Sequence, residues 1–203
     1  MIWLSGATVY LVCEAVAAAG FPGYSYAANY ISDLGVSPVM NVGAFMAHGT
    51  LFLLGAAVAV RCYPGTGLVG GAFVPAAAAN ALGNVLVGTF RSGMAPTSAN
   101  WHLVGAALAL VGGNVAVILA GIGGRRVGAP PAYVRASVGL GAVGLASQVA
   151  LIINGASGFV PVGVLERGAV YSIIGWELMT GFAILCRRRP AGQRLTNSGS
   201  RGG

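Results

Sequence analysis

The chain has no lysine and only four acidic residues to set against eleven arginines. Charged residues make up 7% of its 203 positions, where a soluble domain carries roughly 25%. A soluble protein of this size has no wettable surface on so little charge. Other things are missing too. There is no glycine-rich phosphate loop, no serine-centred nucleophile elbow, no CxxC and no HExxH. No long polar stretch sets off a soluble domain. These absences argue against nucleotide-driven transport and against cytosolic chemistry. The three cysteines, Cys13, Cys62 and Cys186, follow no metal-ligand spacing and read as small buried hydrophobes without a disulfide.

What is present is apolar. Hydrophobic residues make up 56% of the chain, and its mean hydropathy is +0.80. Six runs at about 2–20, 41–62, 67–89, 101–123, 134–154 and 165–186 approach or exceed the roughly 20 residues that a bilayer core demands. Breakers separate them: Phe21-Pro22-Gly23, Pro64-Gly65, Arg91 to Asn100, Gly124 to Pro131, and Gly155 to Gly163. The expected architecture is an all-α membrane protein, a six-transmembrane-helix bundle with short loops. Residues 1–189 form the membrane domain, and 190–203 an Arg/Gly/Ser-rich disordered tail. Ala17-Ala18-Ala19 resembles a cleavage site, but no basic region precedes the first run, so it is expected to stay as a span.

The net charge of +7 is a topology signal and not a nucleic-acid footprint. With six spans both termini share a side. That side holds Arg61, Arg125, Arg126, Arg135, Arg187, Arg188, Arg189, Arg194 and Arg201, nine in all, against Arg91 and Arg167 on the other. Both termini are therefore expected in the cytoplasm, with the chain multi-pass in a plasma membrane. The tail arginines suit anionic lipid headgroups. Gly67 and Gly71, Ala79 and Gly83, Gly105 and Ala109, and Ser137 and Gly141 each stand four apart, a spacing that lets helices approach closely in lipid. Pro75 should kink the third span.

Polar residues within the spans gather toward the outer end. At 1.5 Å per residue, Glu14 lies about 9 Å below the outer end of its span, His48 about 10 Å, Asn84 about 8 Å and Gln148 about 9 Å, and His102 opens the fourth span. Asn80, Asn84 and Arg91 share one stripe, and Asn41 and His48 share another. Such stripes turn away from lipid, toward an outward-facing polar crevice or toward interhelical hydrogen bonds. Asn114 and Glu177 fall outside the set. Glu14 needs a partner inside the bundle, with His48, Asn84, His102 and Arg91 as candidates. Asp33 either caps a turn or pairs with Arg91 or Arg167. Glu14, Asp33, His48 and His102 are the donors for any metal site, without a short-spaced signature, and no cofactor is implied.

The loop Phe21–Gly35 carries three tyrosines suited to the headgroup level, and its Ser32-Asp33-Leu34-Gly35 reads as a capped turn that folds over the bundle mouth. Pro22-Gly23-Tyr24-Ser25, then Ile31-Ser32-Asp33-Leu34-Gly35, then Asn41 and Phe45 resemble the bacterial membrane proteins known as domain of unknown function 998. Gly88, Phe90, Pro96 and His102 are similar to that family's second signature, a loop ending in histidine. The segment Arg91 to Asn100 departs from it in having no acidic residue. The resemblance implies a six-span protein over about residues 1–185, and eukaryotic relatives in the wider superfamily point toward lipids. Three functions follow as expectations. The first is a lipid-associated membrane protein. The second is a metal-dependent hydrolase of lipid. The third is an accessory subunit docking a membrane-protein partner through its small-residue stripes.

Overall fold

The structure, a computed structural model, describes residues 1–92 and 96–187, with side chains except at 96, 97, 155–157 and 187. The tail, and with it the domain boundary at 189, lies outside the described residues. Six helices long and apolar enough to cross a membrane run over the rest, and no strand occurs among the described residues. They are α1 (Ile2–Ala19), α2 (His48–Cys62), α3 (Leu68–Thr89), α4 (Pro96–Arg126), α5 (Pro131–Ser157) and α6 (Val162–Arg187). The expected boundaries hold to within a few residues, except that α4 starts a turn earlier. His102 therefore lies well inside α4 and not at its head. A π-helical segment, Val39–Ala47, runs without a break into α2, so the second span covers Val39–Cys62.

Each helix places its polar or small residues inward. The buried residues of α1 are Trp3, Gly6, Ala7, Tyr10, Glu14 and Ala17, one stripe at helical spacing. Lipid supplies no hydrophobic drive between helices, so close backbone packing does the work. This is clearest between α3 and α4. A Cβ on Gly83 would stand 2.5 Å from the Gly105 carbonyl and 2.8 Å from Ala109 Cα. One on Gly112 would stand 2.8 Å from the Asn80 nitrogen. On α5, Gly141 faces the Asn114 carbonyl and Ile118 in the same way. Gly67 and Gly71 do not pack: Gly67 caps α3 with φ +58°, and Gly71 meets nothing within 4 Å. The helix α3 continues through Pro75.

Two apolar clusters fill the interior. One, toward the loop end, joins Tyr10, Ile31, Leu34, Met40, Phe45 and Ile174. The other, toward the terminus end, joins Trp3, Phe52, Phe73, Val117, Ile173 and Trp176. Cys13 is half-buried, its sulfur filling the space that a Cβ on Gly43 would take. Cys62 and Cys186 are exposed, not buried as their apolar context suggests, because each falls at the outward end of a helix.

Candidate functional site

The intramembrane polar residues form separate groups. The first lies at the loop end, where α1 and α6 meet. Glu14 and Arg167 each stand five residues from that end of their helices, so they share a depth. Arg167 Nη2 donates to Glu14 Oε1 at 2.9 Å, and the Tyr171 hydroxyl donates to Glu14 Oε2 at 3.0 Å. Both carboxylate oxygens of a fully buried acid are thus used. Arg167 also donates to the Tyr24 hydroxyl at 2.6 Å and to the carbonyls of Tyr26, Asn29 and Gly163. Its guanidinium lies 4.6 Å from the Tyr26 ring centre and 5.6 Å from that of Tyr24, within cation–π range. Burial raises the Tyr24 phenol above its ordinary pKa, against the pull of Arg167, and its hydroxyl stays a donor to the Tyr30 carbonyl at 3.0 Å.

Beside it, the Glu166 carboxylate accepts the Ile31 amide. The first loop is therefore tied to α6 by consecutive residues, and it folds over the bundle end. Gly163 permits this, since a Cβ there would strike the carbonyls of Tyr26, Ala27 and Asn29. Asp33 plays the capping part, accepting the Tyr30 amide at 3.1 Å beside the 3-10 turn Ser32–Val36. The expected pairing of Arg91 with Asp33 or Glu14 does not form. Arg91 is exposed beyond the end of α3, while Arg167, expected at the outer mouth of the sixth span and as a candidate partner of Asp33, lies inside that span and takes Glu14. An arginine one turn into a helix reaches a buried acid at its own depth; one outside the helix does not.

The second group is deeper. His48 Nε2 lies 2.7 Å from Glu177 Oε2, with the two residues 3% and 0% exposed. Tyr10 and Phe52 pack against the imidazole at ring separations of 5.1 and 6.2 Å. His48 does not share a face with Asn41, because the wider π-helical turns between them shift the register. Asn41 sits instead against Gly35 of the first loop.

Among the remaining polar residues, Asn80, Asn114 and His102 join one helix or turn to another. Asn80 donates to the Ala109 carbonyl at 2.7 Å, and Asn84 to the Asn80 carbonyl at 2.9 Å. Asn114, set aside in the sequence, joins three helices: it donates to Leu110 and Ala169 carbonyls and fills the notch left by Gly144. His102 donates to the Phe90 carbonyl at 2.6 Å and fixes the α3–α4 turn. Gln148 is buried on α5. Among the described residues no three His, Cys, Asp or Glu converge as metal ligands. Glu14, Asp33, His48 and His102 each bind a different partner, so the four donors do not make the metal centre a hydrolase needs.

At the opposite end the helices part around a cavity of about 400 Å³. Trp3, Phe73 and Trp176 form its floor, with ring centres 4.9 Å apart for the two tryptophans. Val60, Val69, Leu119 and Ile184 are among its apolar walls, and Tyr133 and Thr180 share a hydrogen bond of 3.2 Å on its lining. Arg126 donates to the Thr66 carbonyl beside it. Arg61, Arg125, Arg126 and Arg135 are exposed at the same end.

Sequence reasoning missed Glu166, Tyr171, Tyr10 and both floor tryptophans. Signals existed for some. Glu166-Arg167 is an adjacent acid–base pair in a chain with four acids. Trp3, Tyr10 and Glu14 stand seven and four apart, one face of a helix.

The sequence model of one family, described as "Protein of unknown function (DUF998)", matches residues 4–183. The chain belongs to that family. No curated protein and no solved structure matches it. Membership in DUF998 and six apolar helices make it a multi-pass integral membrane protein.

Proposed function

We propose that this DUF998 member is a lipid-associated protein of the bacterial plasma membrane, with both termini cytoplasmic, whose terminus-end cavity takes the apolar tail of an anionic amphiphile. The carrying observation is the cavity itself. Its volume falls in the range of small-molecule sites, roughly 300–1,000 Å³, and its lining pairs an aromatic floor with the hydroxyls of Tyr63, Thr66, Tyr133 and Thr180. The four exposed arginines at that end suit an acidic headgroup. The loop end offers less, because Glu14 and Arg167 already satisfy each other beneath the folded loop. A role as accessory subunit draws less support, since the small-residue stripes of α3 and α4 are spent on each other.

The test is native mass spectrometry of the protein released from mild detergent. Wild type should carry one bound anionic lipid or fatty acid. Ala120→Phe, which fills the cavity from α4, should lose it while keeping the same melting temperature within a few degrees. Bound lipid absent from wild type, or equal in both proteins, overturns the reading.

A further inference from the structure

The two ionisable groups at the centre of the bundle are not explained by a lipid cavity, and they differ from the pair above them. Glu14 uses both of its oxygens, and of its partner Arg167 only Nε is left without a hydrogen bond. In the deeper pair, His48 Nδ1 and Glu177 Oε1 are each buried without a hydrogen-bond partner among the described residues. The hydrogen bond made by one ring nitrogen of a histidine sets the protonation of the other, and a bond at both fixes the tautomer. Here neither group is fixed on its far side.

We propose that His48 and Glu177 form a proton-binding site that loads and releases one proton. Neutral imidazole beside carboxylate carries one negative charge; one added proton, shared between the two, makes the pair neutral, the less costly state in a membrane interior. Loading transfers a proton from water to the imidazole or the carboxylate, and release returns it to water; no other bond changes. Three features around the pair support this. The α1 backbone runs past the pair at Gly6, where an added Cβ would meet Glu177 Oε1 at 3.5 Å and His48 Cδ2 at 3.7 Å, ordinary contact distances. The π-helical segment ends at His48, and π-helical turns inside helices recur at functional sites because the register has a nearby α-helical alternative. Trp176, next to Glu177 in sequence, is floor of the cavity, so the pair lies one residue from that chamber along α6.

The titratable groups facing the pair are few. The α1 helix brings Tyr10, with Glu14 one turn beyond and neutralised by Arg167. The α6 helix brings Tyr171, bonded to Glu14. From α3 comes only the neutral amide of Asn84, packed on Gly49. No third charge competes for the proton.

The chain has two histidines, so nitrogen-15 labelling of histidine reads the site directly. The full-length protein in lipid nanodiscs is followed by solid-state NMR across about pH 5 to 8, the window of histidine charge change. His102→Gln removes the other signal and leaves the pair untouched. The expected result is a His48 signal that changes protonation within the window and whose midpoint moves by more than about one unit in Glu177→Gln. A His48 signal fixed in one tautomer and charge state throughout overturns the proposal. If Glu177→Gln does not fold, Glu177→Asp serves, and its midpoint should move too; an unmoved midpoint also overturns it. The readout needs no lipid ligand, so it stands or falls apart from the cavity.

Discussion

Glu14 shows how one buried charge acquires its meaning from its partner. Its cost in lipid is several kcal/mol, and the cost is met by Arg167 and Tyr171 together. Glu14→Gln keeps a hydrogen-bonding group but strands the Arg167 guanidinium beneath the loop. Breaking a buried pair on one side costs about 3–5 kcal/mol. We therefore expect Glu14→Gln to lower thermal stability sharply in detergent. Glu14→Leu combined with Arg167→Met should lose less than the sum of the two single changes, by about 0.5–3 kcal/mol of coupling. Strict additivity in a melting experiment would mean that the pair contributes nothing jointly. Glu14 was legible as an expensive residue from its place in an apolar run. Its partner was not, because a boundary drawn at residue 165 leaves Arg167 two residues inside the mouth of the span, well above the depth of Glu14. Helix α6 begins three residues earlier, and that single extra turn carries Arg167 to the depth of Glu14.

Helix by helix, the six spans could be read from hydropathy because length and apolarity are local properties of the chain. Packing partners could not. Small residues four apart occur in several spans, and only the assembled bundle separates those that meet a neighbour from those that do not. Gly83 and Gly71 make the contrast within one helix. Gly83→Ala forces a methyl into the α4 backbone, where neither side has a flexible end to yield. Overpacking of this kind costs about 1–3 kcal/mol, and more where backbones must part. Gly71→Ala meets open space, and alanine is the better helix former by up to about 1 kcal/mol. Thermal unfolding should therefore fall for Gly83→Ala and hold or rise for Gly71→Ala. Equal losses would mean that the α3–α4 contact is not where the bundle is held. The π-helical stretch before His48 was hidden for a related reason. Nothing local in Val39–Ala47 demands it; the fit of Gly43 against Cys13 and of Asn41 against Gly35 is a property of the assembled helices.

The whole molecule is polarised along its axis. The loop end is closed by a strap tied to Glu166 and Arg167, the centre holds the His48–Glu177 pair, and the terminus end opens on an apolar chamber beside exposed arginines. Six spans bring the start of α1 and the end of α6 to the chamber end, and our proposal, from the arginine bias, is that this end is cytoplasmic. Two native cysteines make this orientation testable without a fusion. Cys62 closes α2 at the chamber end and is exposed, while Cys13 lies half-buried against Gly43. Phe159, 89% exposed just past α5, marks the loop end. In intact cells a membrane-impermeant maleimide should label Phe159→Cys and leave Cys62 unlabelled; after permeabilisation Cys62 should react as well. The opposite pattern would turn the molecule over. The chamber would then face outward and the tyrosine-bearing strap inward, and an amphiphile could reach the cavity only from the outer leaflet. On the two proposals made above, the orientation would fix the leaflet that supplies an amphiphile as well as the side from which a proton reaches the central pair.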